Sequence, residues 1–166
     1  MSLYKQLLLA IVTSIALAFA GSFAATMLAA RGYLEEQLAV KNADNATALA
    51  LSMSQLPKDR TTVDLQVVAL FETGQYESIR VVDKQGAVVV AHSARAAAAG
   101  APAWFVRLLP IDSKPGSAEI GDGFKQFGNV ELKSLAAFAY RDLYRTANDM
   151  LIAFISADIA DRKSVV

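Results

Sequence analysis

The single histidine, the carboxylates and the glycine-flanked aromatic are where any chemistry in this chain would have to begin. His92 is followed directly by Ser93 in the stretch AVVVAHSAR. No motif places a carboxylate beside them, and a lone histidine in a β-rich stretch reads as structural or solvent-exposed. Glu35-Glu36 reads as a wet helix face. The chain has no Cys, which excludes disulfides, thiolate catalysis and Cys-based zinc or iron–sulfur sites. With one His, a His-rich metal site is excluded as well. There is no P-loop, G-x-G-x-x-G, H-E-x-x-H or paired-carboxylate motif. The expectation is therefore a protein with no catalytic residues, no metal and no cofactor. Gly121-Asp122-Gly123 forms a tight exposed turn, and Phe124 stands at its root. An aromatic there is either a core plug or an exposed anchor for a partner; the residues alone favour the core.

Composition narrows the partners. Among 166 residues, 16 Lys+Arg balance 16 Asp+Glu, which argues against a nucleic-acid binder held by a basic field. Hydrophobic residues make up 54% and charged residues 19%, more apolar than an ordinary globular domain. The excess lies at the front. LLLAIVTSIALAFAGSFAATMLAA, from Leu7 to Ala30, carries no charge and is longer than the roughly 20 residues a helix needs to cross a bilayer. A cleaved signal peptide is the rival reading, with Lys5 as its basic start and Ala18-Phe19-Ala20 as its cleavage site. The apolar run continues well past that site, which favours an uncleaved signal anchor. Small residues crowd its second half; they could let two such helices approach, but the abundance of Ala throughout the chain is the favoured explanation.

The remaining elements read as a small α+β domain. Leu34, Leu38, Leu49 and Leu56 recur at helical intervals, so a helix continuous with the anchor is expected up to Pro57. Asn42 and Asn45, near its stripe, are expected to face solvent. Thr61 with Asp64, in a pattern that resembles a capping box, or Thr62 with Leu65 opens a second helix, with Val63, Val67, Leu70 and Phe71 on one face and Gly74 as its stop. SIRVVD and AVVVA, flanking Lys84-Gln85-Gly86, predict a β-hairpin. Pro102 to Leu109 is a short amphipathic helix, with Trp104 expected in the core. Strands follow near Ser117–Ile120 and Phe124–Leu132. A last helix is expected over residues 135–159, striped by Tyr140, Tyr144, Ala147, Leu151 and Phe154. Its apolar run, Met150–Ile155, is too short to span a membrane before Asp158, Asp161, Arg162 and Lys163.

Several segments, in order, resemble one family: MSLYKQLLLAI, NATALALSMS, SIRVVDKQGAVVV, PAWFVRLLPI and GFKQFGNVELKS. Together they are similar to the N-terminal region of LapD-type cyclic-di-GMP receptors, the LapD/MoxY N-terminal domain family, over roughly residues 1–149. The resemblance implies a transmembrane signal anchor over residues 1–30 in the bacterial inner membrane, with the bulk of the chain in the periplasm. Residues 31–149 would be a PAS-like periplasmic sensor or output domain that forms a homodimer, with swapped elements as an option. It implies a periplasmic cysteine protease as partner, whose capture retains a surface adhesin and sustains a biofilm. It also implies cytoplasmic HAMP, GGDEF and EAL domains, through which alone cyclic di-GMP would act. An aromatic at the tip of the loop before the fourth strand, typically Trp after Gly, enters the protease in this family; here Asp122, Gly123 and Phe124 hold that position as partner-binding residues. Residues 150–166 depart from the pattern and stand as an aberrant tail in place of the second membrane helix. The expectation there is a fragment, a frameshifted or truncated gene, or a stand-alone paralogue. The alternatives are a small-molecule sensing domain of a histidine kinase or of a diguanylate cyclase or phosphodiesterase, and a remnant without output.

Overall fold

A computed structural model describes residues 3–57, 59–94, 100–121 and 125–164, the side chains from residue 157 onward excepted. The chain divides into two compact units, one of Met1–Gly32 with Asp142–Val166 and one of Tyr33–Arg141. Helix α1 runs Leu3–Ser54, and the last helix, α4, runs Ala137–Ser164, so each contributes to both units.

In the first unit α1 is long and apolar enough to cross a membrane. Leu7, Leu8, Leu9, Ile11, Val12, Ile15 and Leu17 are all exposed, as lipid-facing side chains must be. The two threonine hydroxyls inside the run are satisfied by the helix itself: Thr13 donates to the Leu9 carbonyl at 2.7 Å and Thr26 to the Ser22 carbonyl at 2.9 Å. Helix α4 comes back along α1, with Phe154 stacked on Phe19 at 3.8 Å between ring centres.

The second unit holds the α+β domain. Its strands are β1 (Tyr76–Asp83), β2 (Val88–Ser93), β3 (Gly116–Gly121) and β4 (Gln126–Ser134). All pairings are antiparallel, in the order β2-β1-β4-β3. The β1–β2 turn closes as the sequence predicts. Gly86 takes φ +82°, and the Asp83 carboxylate accepts the Gln85 and Ala87 N–H groups at 2.9 and 2.8 Å. One sheet face supplies Ile79, Val81, Val90, Ile120, Val130 and Leu132 to the core. Ala46, Leu49, Ala50 and Met53 of α1 close over it, with Val63 and Val67 of helix α2 (Arg60–Phe71). The other face carries the paired charges Arg80–Glu131 and Lys133–Glu77.

Four expectations are corrected here. Asn42 does not face solvent; it is 0% exposed. Its Nδ2 donates to Ser113 Oγ at 3.1 Å and to the Lys114 carbonyl at 2.6 Å, and its Oδ1 accepts the Ser134 N–H at 3.0 Å. Asn45 donates to the Tyr76 hydroxyl at 3.1 Å, and burial pushes the Tyr76 phenol above its ordinary pKa. Helix α2 is capped by Asp59 rather than by Thr61, because Asp59 Oδ2 accepts the Thr62 N–H at 3.1 Å and Oδ1 the Thr62 hydroxyl at 2.7 Å. Trp104, in helix α3 (Ala103–Leu108), is 61% exposed, and its neighbour Phe105 fills the core position at 3%. A six-residue helix has one inward stripe, and only one of two adjacent aromatics can occupy it.

Replacing Asn42 with Ala leaves the buried Ser134 N–H and the partly buried Lys114 carbonyl without their partner. The expected loss is about 3 kcal/mol, read as a fall in melting temperature of the detergent-solubilised chain. At Asp59 the Thr62 bonds hold the carboxyl below its ordinary pKa of 3.8. A depressed folded-state pKa stabilises at pH values above the unfolded pKa, and that contribution disappears as pH falls through the folded value. The melting-temperature gap between the parent and Asp59→Ala is therefore expected to be full at pH 7 and to shrink below the ordinary carboxylate range.

Candidate functional site

The β3–β4 hairpin is built from its root. Its last rung pairs Gly121 with Gln126, after an irregularity between Ile120 and Gly121. The Gly121 N–H donates to Ser54 Oγ at 3.2 Å, and Ser54 donates in turn to the Ala50 carbonyl at 2.8 Å. The last turn of α1 therefore holds the root of the hairpin. Asp122, Gly123 and Phe124, the partner-binding residues implied by the family resemblance, lie outside the described residues.

Beside that root, between α1 and the edge strand β3, runs an open cleft of about 770 Å³. One wall is Thr47, Ala50, Leu51 and Ser54; the other includes Ser117, Glu119 and Gln126. Leu51 is 61% exposed on that wall. An edge strand offers unpaired backbone groups, and a neighbouring leucine offers apolar area. Such a wall suits contact with polypeptide.

A second cleft, of about 420 Å³, lies between α2 and the opposite edge strand, β2. Within it His92 Nε2 meets Asp64 Oδ1 at 2.9 Å, and the His92 ring lies 5.8 Å from that of Phe71. The acidic partner that no motif placed is thus 28 residues away on α2; no local sequence signal could have found it. The pair makes no nucleophile. His92 lies on the core-facing side of β2, opposite Ile79, and Ser93 takes the other face by strand alternation. Among the described residues no three His, Asp or Glu side chains gather where they could hold a metal ion. Glu35, read as a wet helix face, instead accepts the Asp112 N–H at 2.9 Å.

The described residues thus form a four-stranded antiparallel sheet covered by α1 and α2, with an open cleft at each edge strand. The chain belongs to the LapD/MoxY periplasmic domain family, whose model matches residues 23–144. Among solved structures it is similar to the LapD periplasmic domain of Pseudomonas fluorescence. The identity is 35% over 74% of this chain and 97% of that one, with a TM-score of 0.42. A comparison with curated proteins finds no match. Membership makes the chain a periplasmic module of a signalling receptor, carried on an apolar N-terminal helix.

The His92 and Asp64 side chains are 34% and 49% exposed. Solvent screening at such a site limits an ion pair to less than about 1 kcal/mol. His92→Gln and Asp64→Asn are each expected to move the melting temperature only slightly at pH 7, and a double-mutant cycle should return a coupling of that small size.

Proposed function

We propose that this chain is the periplasmic output module of an inner-membrane cyclic-di-GMP receptor and that it captures a periplasmic cysteine protease. Capture would keep the protease from a surface adhesin and so control biofilm formation. Family membership over residues 23–144 is the observation that carries this reading. The hairpin root supports it, because Ser54 ties that root to α1 next to the exposed Leu51. On this reading Asp122, Gly123 and Phe124 form the contact tip, and the Phe124 ring enters an apolar pocket of the protease. Phenylalanine supplies apolar area there but no indole N–H, so the contact is weaker than one made by tryptophan. Cyclic di-GMP would act through cytoplasmic domains outside these 166 residues. The working unit would be a homodimer.

The test is capture of the periplasmic cysteine protease encoded in the same genome by the full chain in nanodiscs. Phe124→Ala is expected to weaken capture by about thirtyfold, the scale of a hot-spot aromatic. Its melting temperature should stay close to that of the parent. Phe124→Trp should tighten capture, and Leu51→Glu should weaken it. Equal capture by Phe124→Ala, or a large loss of stability in that variant, would return Phe124 to the core and end the assignment. Light scattering of the detergent-solubilised chain should give the mass of a dimer.

A further inference from the structure

Helix α3 presents two unlike faces. Phe105, and Leu109 just past its end, are buried at 3% and 9%, whereas Trp104 and Leu108 are 61% and 68% exposed. The exposed pair is four residues apart and so shares a face; Arg107 is exposed next to Leu108. Scattered apolar residues on a surface need no explanation. Indole, leucine and guanidinium together on one short helix are the side chains that a membrane–water interface selects.

The place where α3 is held makes that chemistry relevant. The loop leaving it is tied down at three successive points. The Ile111 N–H donates to the Tyr140 hydroxyl at 2.7 Å, the Asp112 N–H to Glu35 at 2.9 Å, and Asn42 to the Lys114 carbonyl at 2.6 Å. Glu35 belongs to the same unbroken helix as the apolar run. It stands five residues beyond Ala30, about 7.5 Å along the axis at 1.5 Å per residue. Leu108 precedes Asp112 by four residues, at most about 14 Å of extended chain. The headgroup layer adds roughly 5–7 Å on each side of the hydrocarbon. Covalent length and the Glu35–Asp112 hydrogen bond set an upper bound on the distance from α3 to the end of the apolar run.

We propose that the exposed face of α3 rests on the periplasmic leaflet of the membrane that α1 enters. Trp104 and Leu108 enter the boundary between headgroups and acyl chains, and Arg107 meets lipid phosphates. The contact gives the domain a second hold on the bilayer beside the anchor, which limits its tilt about α1. This inference rests on α1 being a membrane anchor and is independent of protease capture.

Trp104 is the only tryptophan in the chain, so intrinsic fluorescence reads this site alone. The full chain is reconstituted in nanodiscs of phosphatidylcholine and phosphatidylglycerol, with or without phosphatidylcholine brominated near the glycerol end of its acyl chains. Flotation with plain vesicles tests the anchor separately. The expected result is loss of about half the emission in brominated discs, with Trp104 blue-shifted. Arg107→Glu and Leu108→Asp change exposed side chains and should retain the parent melting temperature. Each is expected to lower the bromolipid quenching by roughly twofold or more and to raise quenching by iodide. A chain that floats but shows no bromolipid quenching overturns the proposal. Protection from iodide without bromolipid quenching does the same, because it assigns the face to a protein contact. Failure to float would remove the anchor itself and the proposal with it, while leaving protease capture open to its own test.

Discussion

The side-chain amide of Asn42 is the point on which the domain's arrangement turns. It lies fully buried on α1, and its nitrogen and oxygen reach Ser113, Lys114 and Ser134, which are 71, 72 and 92 residues away in the chain. An amide taken out of water without partners is costly, and with all its partners it is nearly neutral. That asymmetry makes it a register device. A slip of α1 by one residue would strand Asn42 together with the backbone groups it serves. Gly116 permits the close approach, because a Cβ there would collide with the Asn42 carbonyl.

Once α1 is locked in register, its other contacts follow at helical spacing. Glu35 stands about two turns before Asn42 and holds the loop that follows α3; Ser54 stands just over three turns after it and holds the root of the β3–β4 hairpin. A single helix thus joins the apolar anchor, the loop after α3 and the hairpin. Within the α+β domain these bonds fix the stretch of α1 from Glu35 to Ser54 against the sheet and its loops.

Much of this was legible beforehand. The anchor is an uninterrupted apolar run, the β1–β2 hairpin follows from β-branched residues flanking a glycine turn, and the inward face of α2 follows from the spacing of Val63, Val67, Leu70 and Phe71. These signals are local, each contained in a window of a few turns or one hairpin. The misreadings of Asn42, Asn45 and Trp104 have one cause, whereas the choice of Asp59 as the cap of α2 is local. Helical spacing identifies a stripe but cannot say which polar residue on it will be covered by chain arriving from elsewhere, and so Asn42 and Asn45 read as wet. Trp104 and Phe105 are equally apolar neighbours, and only the position of α3 against the domain sends one inward and leaves the other out. The Asp64 partner of His92 and the Asp112 partner of Glu35 are likewise invisible along the chain.

What the sequence by itself determined is therefore the anchor, the kind and order of the elements, and the family, whose segments keep their order along the chain. Those properties depend on composition, periodicity and turn chemistry within short windows. Tertiary structure alone decided the sheet order β2-β1-β4-β3, the burial of Asn42, the tie from Ser54 to the hairpin root, and the face that α3 turns outward. Each of these is a meeting of residues far apart in the chain. Such a meeting is set by which polar groups must be satisfied when two surfaces close, and no local stretch of sequence carries that information.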